Sequence, residues 1–149
     1  MGWALRGAAA GAAGTTALDV VTYLDMTVRG RPPSSTPERT VEKLAEKAHL
    51  TIPGQGVERA SRLEGLGGLT SLVVGVAIGG LLGLARASGL RAGTLLTTVT
   101  VLVSTNGAMT VLRVTDPRTW SVADWISDLV PHLAYAAVVT TTMDALDRP

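Results

Sequence analysis

The 149-residue chain has no Cys and no Phe, and only two Lys and two His. The absence of Cys excludes disulfides and thiolate metal sites. The absence of Phe removes a common core filler, while Gly is abundant at 17. Helices of this composition must pack by close backbone approach rather than through large rings. Charge of either sign is scarce too: the net charge is +1, so there is no basic surface for nucleic acid, and no nucleic-acid partner is expected. No Ser-His-Asp motif, glycine-rich phosphate loop or other catalytic signature occurs. An enzyme is therefore the less favoured class, and no cofactor is expected.

What is present is apolar and unevenly placed. Hydrophobic residues make up 46% of the chain and mean hydropathy is +0.33, high for a soluble domain. Residues 65–85 carry no charge, and neither do residues 92–112. At about 1.5 Å per helical residue, either run can cross a hydrocarbon core of roughly 30 Å. We read an all-α integral membrane protein: a single domain, 1–149, forming a four-helix bundle with spans at about 6–28, 66–86, 92–114 and 122–146. The first span, between Arg6 and Arg29, has the small-residue look of a leader peptide. It is weakly hydrophobic for one, and we expect a retained helix.

Residues 29–64 form the one long polar loop. Thr36-Pro37-Glu38 reads as an N-cap, a proline in the first turn and an acid near the helix start. Val41, Leu44, Ala45 and Ala48 then share one face of an amphipathic interfacial helix, which Ile52-Pro53-Gly54 ends. Ser121 and Asp124 have capping-box spacing ahead of the last span. Four spans place both termini and the 86–92 loop on one side, with four Lys/Arg, against nine in the loops 29–64 and 113–121. The positive-inside rule puts the long loop in the cytoplasm and the termini outside. Trp3 falls in one interfacial belt, Trp120 and Trp125 in the other.

Small residues recur every four positions in two spans: Gly7, Gly11, Thr15, Asp19 and Tyr23 in the first, and Ser71, Gly75, Gly79, Gly83 and Ala87 in the second. Such stripes let helix backbones meet in lipid. The partner of each stripe is the other span, or a second copy of the chain in a homodimer or larger membrane complex.

The stretch WISDLVPHLAY, residues 125–135, poses the functional question, because it puts Asp128, Pro131 and His132 inside an apolar span. At 100° per residue, Asp124, Asp128, His132 and Tyr135 fall within an arc of about 80°. Asp19, Asn106 and His132 lie at matching depths, roughly 12–15 Å from one membrane face. We therefore expect a buried polar cluster of Asp19, Asn106, Asp128, His132, Tyr23 and Tyr135. Ionisable groups there are costly, about 2.5–3.5 kcal/mol or more at the bilayer centre, which makes them functional candidates. Pro131 frees the Ser127 carbonyl beside His132. Asp19, Asp128 and His132 are also thin candidates for a metal. Against these stand plainer roles: Asp124 as a cap, Asp25 and Asp144 as solvated end groups, and an Asp–His–Asn contact that only fixes helix register.

The stretches GAAGTTALDVVTYLDMTVRGRPPSSTPE and DPRTWSVADWISDLVPHLAYAAV resemble a group of small uncharacterised multi-pass membrane proteins of actinobacteria. More distantly, the order of features is similar to the YagU-type inner-membrane family. The resemblance implies a helical bundle in a bacterial inner membrane and brings no activity. Two functions follow as expectations. One is a small membrane protein whose polar cluster binds or passes a proton, cation or small polar solute. The other is an accessory or scaffold subunit docking through its glycine stripes.

Overall fold

The computed structural model describes residues 2–147. They form five α-helices, α1 (Trp3–Arg29), α2 (Thr36–Lys47), α3 (Gly56–Ala87), α4 (Thr94–Val111) and α5 (Val122–Leu146), plus a 3-10 turn at Pro117–Thr119. There is no strand among the described residues. α3 and α4 are long and apolar enough to cross a membrane. Arg148, counted above on the side of the termini, lies outside the described residues.

α3 begins at Gly56, well before the apolar run that suggested its start. Charged residues from Glu58 to Glu64 do not stop a helix, and at about 1.5 Å per residue they lengthen α3 at its N-terminal end. α2 packs along this extension, with Val41 and Leu63 buried. Arg59 of α3 donates to Glu42 at 2.7 Å, and Pro37 sits against Gly67, where a Cβ would come within 3.0 Å. Within α2, Lys43 donates to Glu46 at 2.7 Å and holds that carboxyl below its usual range. α2 ends at Lys47, ahead of Ile52-Pro53-Gly54, because His49 adopts the left-handed conformation (φ 55°). The N–H groups of His49 and Leu50 then bond back to Glu46 and Ala45, the Schellman closure normally built on glycine. Arg113 (φ 58°) closes α4 in the same way, bonding to Thr110 while Val114 bonds to Met109.

Consecutive long helices run antiparallel, as the cross-contacts show. α1 packs against both α3 and α5, and α4 packs on α5. The α1–α3 seam is made by glycine. A Cβ on Gly7 would lie 2.8 Å from Cα of Gly83, and one on Gly11 would lie 2.6 Å from the Gly75 carbonyl oxygen. A Cβ on Gly79 would meet Cα of Gly11 at 2.5 Å. Gly14 of α1 gives the same clearance to Val139 and Tyr135 of α5. The small core that results holds Ala10, Val101, Tyr135, Val139 and Met143, flanked by Leu18, Ile78 and Leu82.

Each four-residue step on a helix also turns about 40°, so a small-residue row cannot stay on one seam. Gly7, Gly11 and Thr15 are buried, while Asp19 and Tyr23, next in the row, are exposed. On α3, Gly79 and Gly83 are buried while Ser71 and Ala87 are exposed.

Two glycines separate seam from surface. Gly79→Ala forces Cβ into the α1 backbone and is expected to cost about 1–3 kcal/mol. At Gly80 the nearest atom to a new Cβ is 3.7 Å away, so Gly80→Ala is expected to be neutral or stabilising by up to about 1 kcal/mol. Thermal unfolding of both variants in the same lipid or detergent checks the pair.

Candidate functional site

α4 and α5 bring together three of the expected residues. The Asn106 amide donates from Nδ2 to Oδ2 of Asp128 at 2.7 Å. His132, one turn further along α5, places Nδ1 2.7 Å from the Asp128 carbonyl oxygen and 3.4 Å from Oδ1 of its carboxylate. Asn106 is buried, and its Oδ1 has no hydrogen-bond partner among the described residues. Asp128 and His132 keep 17% and 14% of their side chains exposed. α4 stays helical through Asn106-Gly107, so the Asn is a contact and not a break. α5 likewise runs on through Pro131. The Ser121–Asp124 capping box is formed, with Asp124 N–H donating to Ser121 Oγ at 3.2 Å and Ser121 N–H donating to Asp124 Oδ2 at 2.9 Å.

The other three expected members stand apart. Tyr135 is 1% exposed, and its hydroxyl donates to the Gly75 carbonyl of α3 at 2.6 Å, pinning α5 to α3. Asp19 and Tyr23 are on the exposed side of α1. Asp19 therefore does not join Asp128 and His132 as a metal ligand, and no group of three or more His, Asp or Glu able to hold a metal occurs among the described residues. α4 ends at Val111, short of the expected Val114. That leaves the Asn106–Asp128 contact five to six residues, about 8–9 Å, inside the helix ends. The contact is shallower than spacing alone implied. No protein-family model, curated protein or solved structure matches this chain.

Two charged clusters closing the bundle ends were not anticipated. At the end with the termini, Arg86 of α3 is buried and donates from Nε to Asp147 and from its terminal nitrogen to Asp144, both at the end of α5. Arg6 of α1 adds a 3.6 Å ion pair to Asp147 and stacks over Trp3, 5.3 Å from the ring centroid. At the opposite end, Asp25 pairs with Arg31 at 2.5 Å and with Arg29 at 3.3 Å. Arg29 also donates to Ser127 of α5 at 2.6 Å. Asp25 and Asp144, read as solvated end groups, are thus partners in ion pairs: Asp144 with Arg86 across α5 and α3, and Asp25 with arginines of its own helix and the loop after it, while Ser127 of α5 donates to Asp25 at 3.4 Å. The available clue was topological: four long antiparallel helices put Arg6, Arg86 and Asp144 at one end.

Arg86 serves two carboxylates from a 5% exposed side chain, so Arg86→Met strands Asp147 without its main partner. The expected loss is about 1–3 kcal/mol. Asp144→Asn should cost less, since that carboxylate is 56% exposed and water replaces the bond. Denaturation midpoints of the two variants in one detergent give the comparison.

Proposed function

We propose that the protein is a four-span bundle of a bacterial inner membrane whose Asn106–Asp128–His132 cluster binds or passes a proton, a cation or a small polar solute. One observation carries this reading: a carboxylate about one and a half turns inside apolar helices, bonded by an amide from α4 and faced by an imidazole from its own helix. Polar side chains at such a depth are expensive and face the bundle interior when they serve a function.

The distribution of apolar surface supports the membrane part. Only 11% and 22% of the apolar windows of α3 and α4 are buried, whereas the core helix of a soluble protein would be mostly covered. These two most apolar helices flank the bundle. α1, which carries Asp19 and Asp25, is covered on two sides by α3 and α5 and so needs less apolar surface to span. Exposed Leu and Val ring the outside, among them Leu69, Val73, Leu81, Leu95, Val99 and Val103. Trp120 and Trp125 stack edge-on at 5.0 Å at one end, and Trp3 lies at the other, as interfacial belts require. The Arg-rich end with loops 30–55 and 112–121 then faces the cytoplasm. The resemblance to actinobacterial and YagU-type inner-membrane proteins agrees with this placement. Four short helices enclose little space, so a transport pathway needs a second copy of the chain.

The alternative, an accessory subunit docking through its glycine stripes, keeps less surface to work with. Gly7, Gly11, Gly75, Gly79 and Gly83 are spent on the α1–α3 seam, and Ser71 is the exposed remainder of the residues named for packing.

The test is reconstitution into liposomes, reading proton and small-cation flux. Asp128→Asn and His132→Ala are expected to lower the response at least tenfold, the equivalent of about 1.4 kcal/mol, with folding retained. Asp19→Asn is expected to leave it within about twofold, because Asp19 is not part of the contact. Equal flux in all four proteins, or none in the unaltered one, would remove the cluster from any conducting role.

A further inference from the structure

We infer that the occupant of this cluster is a proton, taken up at Nε2 of His132 with the Asp128 carboxylate as its counter-charge. The inference rests on the reading of the cluster as a binding site and goes further by naming the species and the atom. It follows from counting donors. The Asn106 amide has committed Nδ2 to Oδ2 of Asp128. Nδ1 of His132 faces the Asp128 carbonyl at 2.7 Å, and a carbonyl oxygen only accepts, so Nδ1 carries the hydrogen. The neutral ring then leaves Nε2 as a bare lone pair.

The other side-chain oxygens of the cluster are acceptors as well: Oδ1 of Asp128 and the buried, unpartnered Oδ1 of Asn106. A site of acceptors repels anions and attracts positive charge or a hydrogen-bond donor. A resident metal fits poorly, since only Asp128 and His132 are strong ligands here and no third His, Asp or Glu joins them among the described residues.

Charge balance points the same way. With a neutral ring the cluster carries the single negative charge of Asp128. α4 brings no charged residue to it, for residues 92–112 have none. At the end of α1, Arg29 bonds to Asp25 and to Ser127, the residue before Asp128, and Arg31 of the following loop pairs with Asp25; among the described residues no Arg or Lys pairs with Asp128 itself. Asp19 is exposed, and on α5 itself Asp124 is tied into the capping box at the helix start. One proton from water, added to the Nε2 lone pair, forms an N–H bond and turns the cluster into a neutral Asp⁻–His⁺ pair. Low-polarity surroundings favour that pair over an isolated carboxylate. Nδ1–H, already 3.4 Å from Oδ1 of Asp128, then serves as the contact between the two charges.

The chain has only one other histidine, His49, so His49→Asn leaves His132 as the sole imidazole. Nitrogen-15 histidine spectra of that variant in lipid nanodiscs are expected to show the Nδ1–H tautomer at high pH and a one-proton conversion to imidazolium on acidification. Adding Asp128→Asn is expected to leave the Nδ1–H tautomer, which the main-chain carbonyl at 128 holds, and to move the imidazolium Nδ1 resonance, which then has no carboxylate to face. Sodium, ammonium and zinc at fixed pH are expected to leave the spectrum unchanged. A ring that ignores pH but responds to one of those ions overturns the proton and keeps the cluster as a binding site. A ring protonated at Nε2 in its neutral form, or an imidazolium spectrum indifferent to Asp128→Asn, also overturns the proposal. A ring that responds to neither pH nor ions overturns the binding reading as well.

Discussion

Where α1 crosses α3, backbone meets backbone, and the positions of the other helices follow from that contact. Lipid tails are as apolar as Leu, so association of helices within a membrane gains little from hydrophobic burial and depends on close packing and polar contacts. A chain without Phe has little side-chain bulk to fill a gap. Gly7 and Gly11 against Gly75, Gly79 and Gly83 remove the gap instead. Once α1 is held, Gly14 admits Val139 and Tyr135 of α5, and the Tyr135 hydroxyl reaches across to the Gly75 carbonyl. α5 in turn carries α4, through Asn106–Asp128 at one level and a 3.0 Å contact between Thr94 and Thr140 at another.

The polar groups fall into a consistent order along the bundle. Arg86 with Asp144 and Asp147 closes the end with the termini, and Asp25 with Arg29 and Arg31 closes the other. Both are ion pairs near the helix ends, the first built around a buried guanidinium. Asn106–Asp128–His132 lies between them, without a compensating cation of its own. That difference separates the cluster from the two clasps, in which each carboxylate has an arginine partner.

Much of the architecture was legible before any coordinates. The charge-free runs marked α3 and α4, the Ser121–Asp124 spacing marked the start of α5, and the 3.6-residue period of Val41, Leu44 and Ala45 marked α2. Boundaries set by turn chemistry were less legible. His49 and Arg113 close helices in a conformation that sequence assigns to glycine, and the charged start of α3 hid its first turns. The site was read in part. Asn106, Asp128 and His132 do meet, whereas Asp19, Tyr23 and Tyr135 share depth or spacing with them and do not. Depth follows from counting residues along a helix, but facing depends on how far each helix is rotated about its axis.

The sequence by itself determined the helical class, the two strongly apolar helices, the glycine contact surfaces and the placement of a carboxylate and an imidazole one turn apart. Those are consequences of composition and local period, which act within a single helix. Which stripe met which helix, that Asn106 bonds Asp128 while Tyr135 bonds Gly75, and that Asp19 faces outward were decided by tertiary structure. The reason is the drift of about 40° with every four residues: a row that begins on a seam ends on the surface, and the crossing of α1 and α3 alone fixes where it leaves.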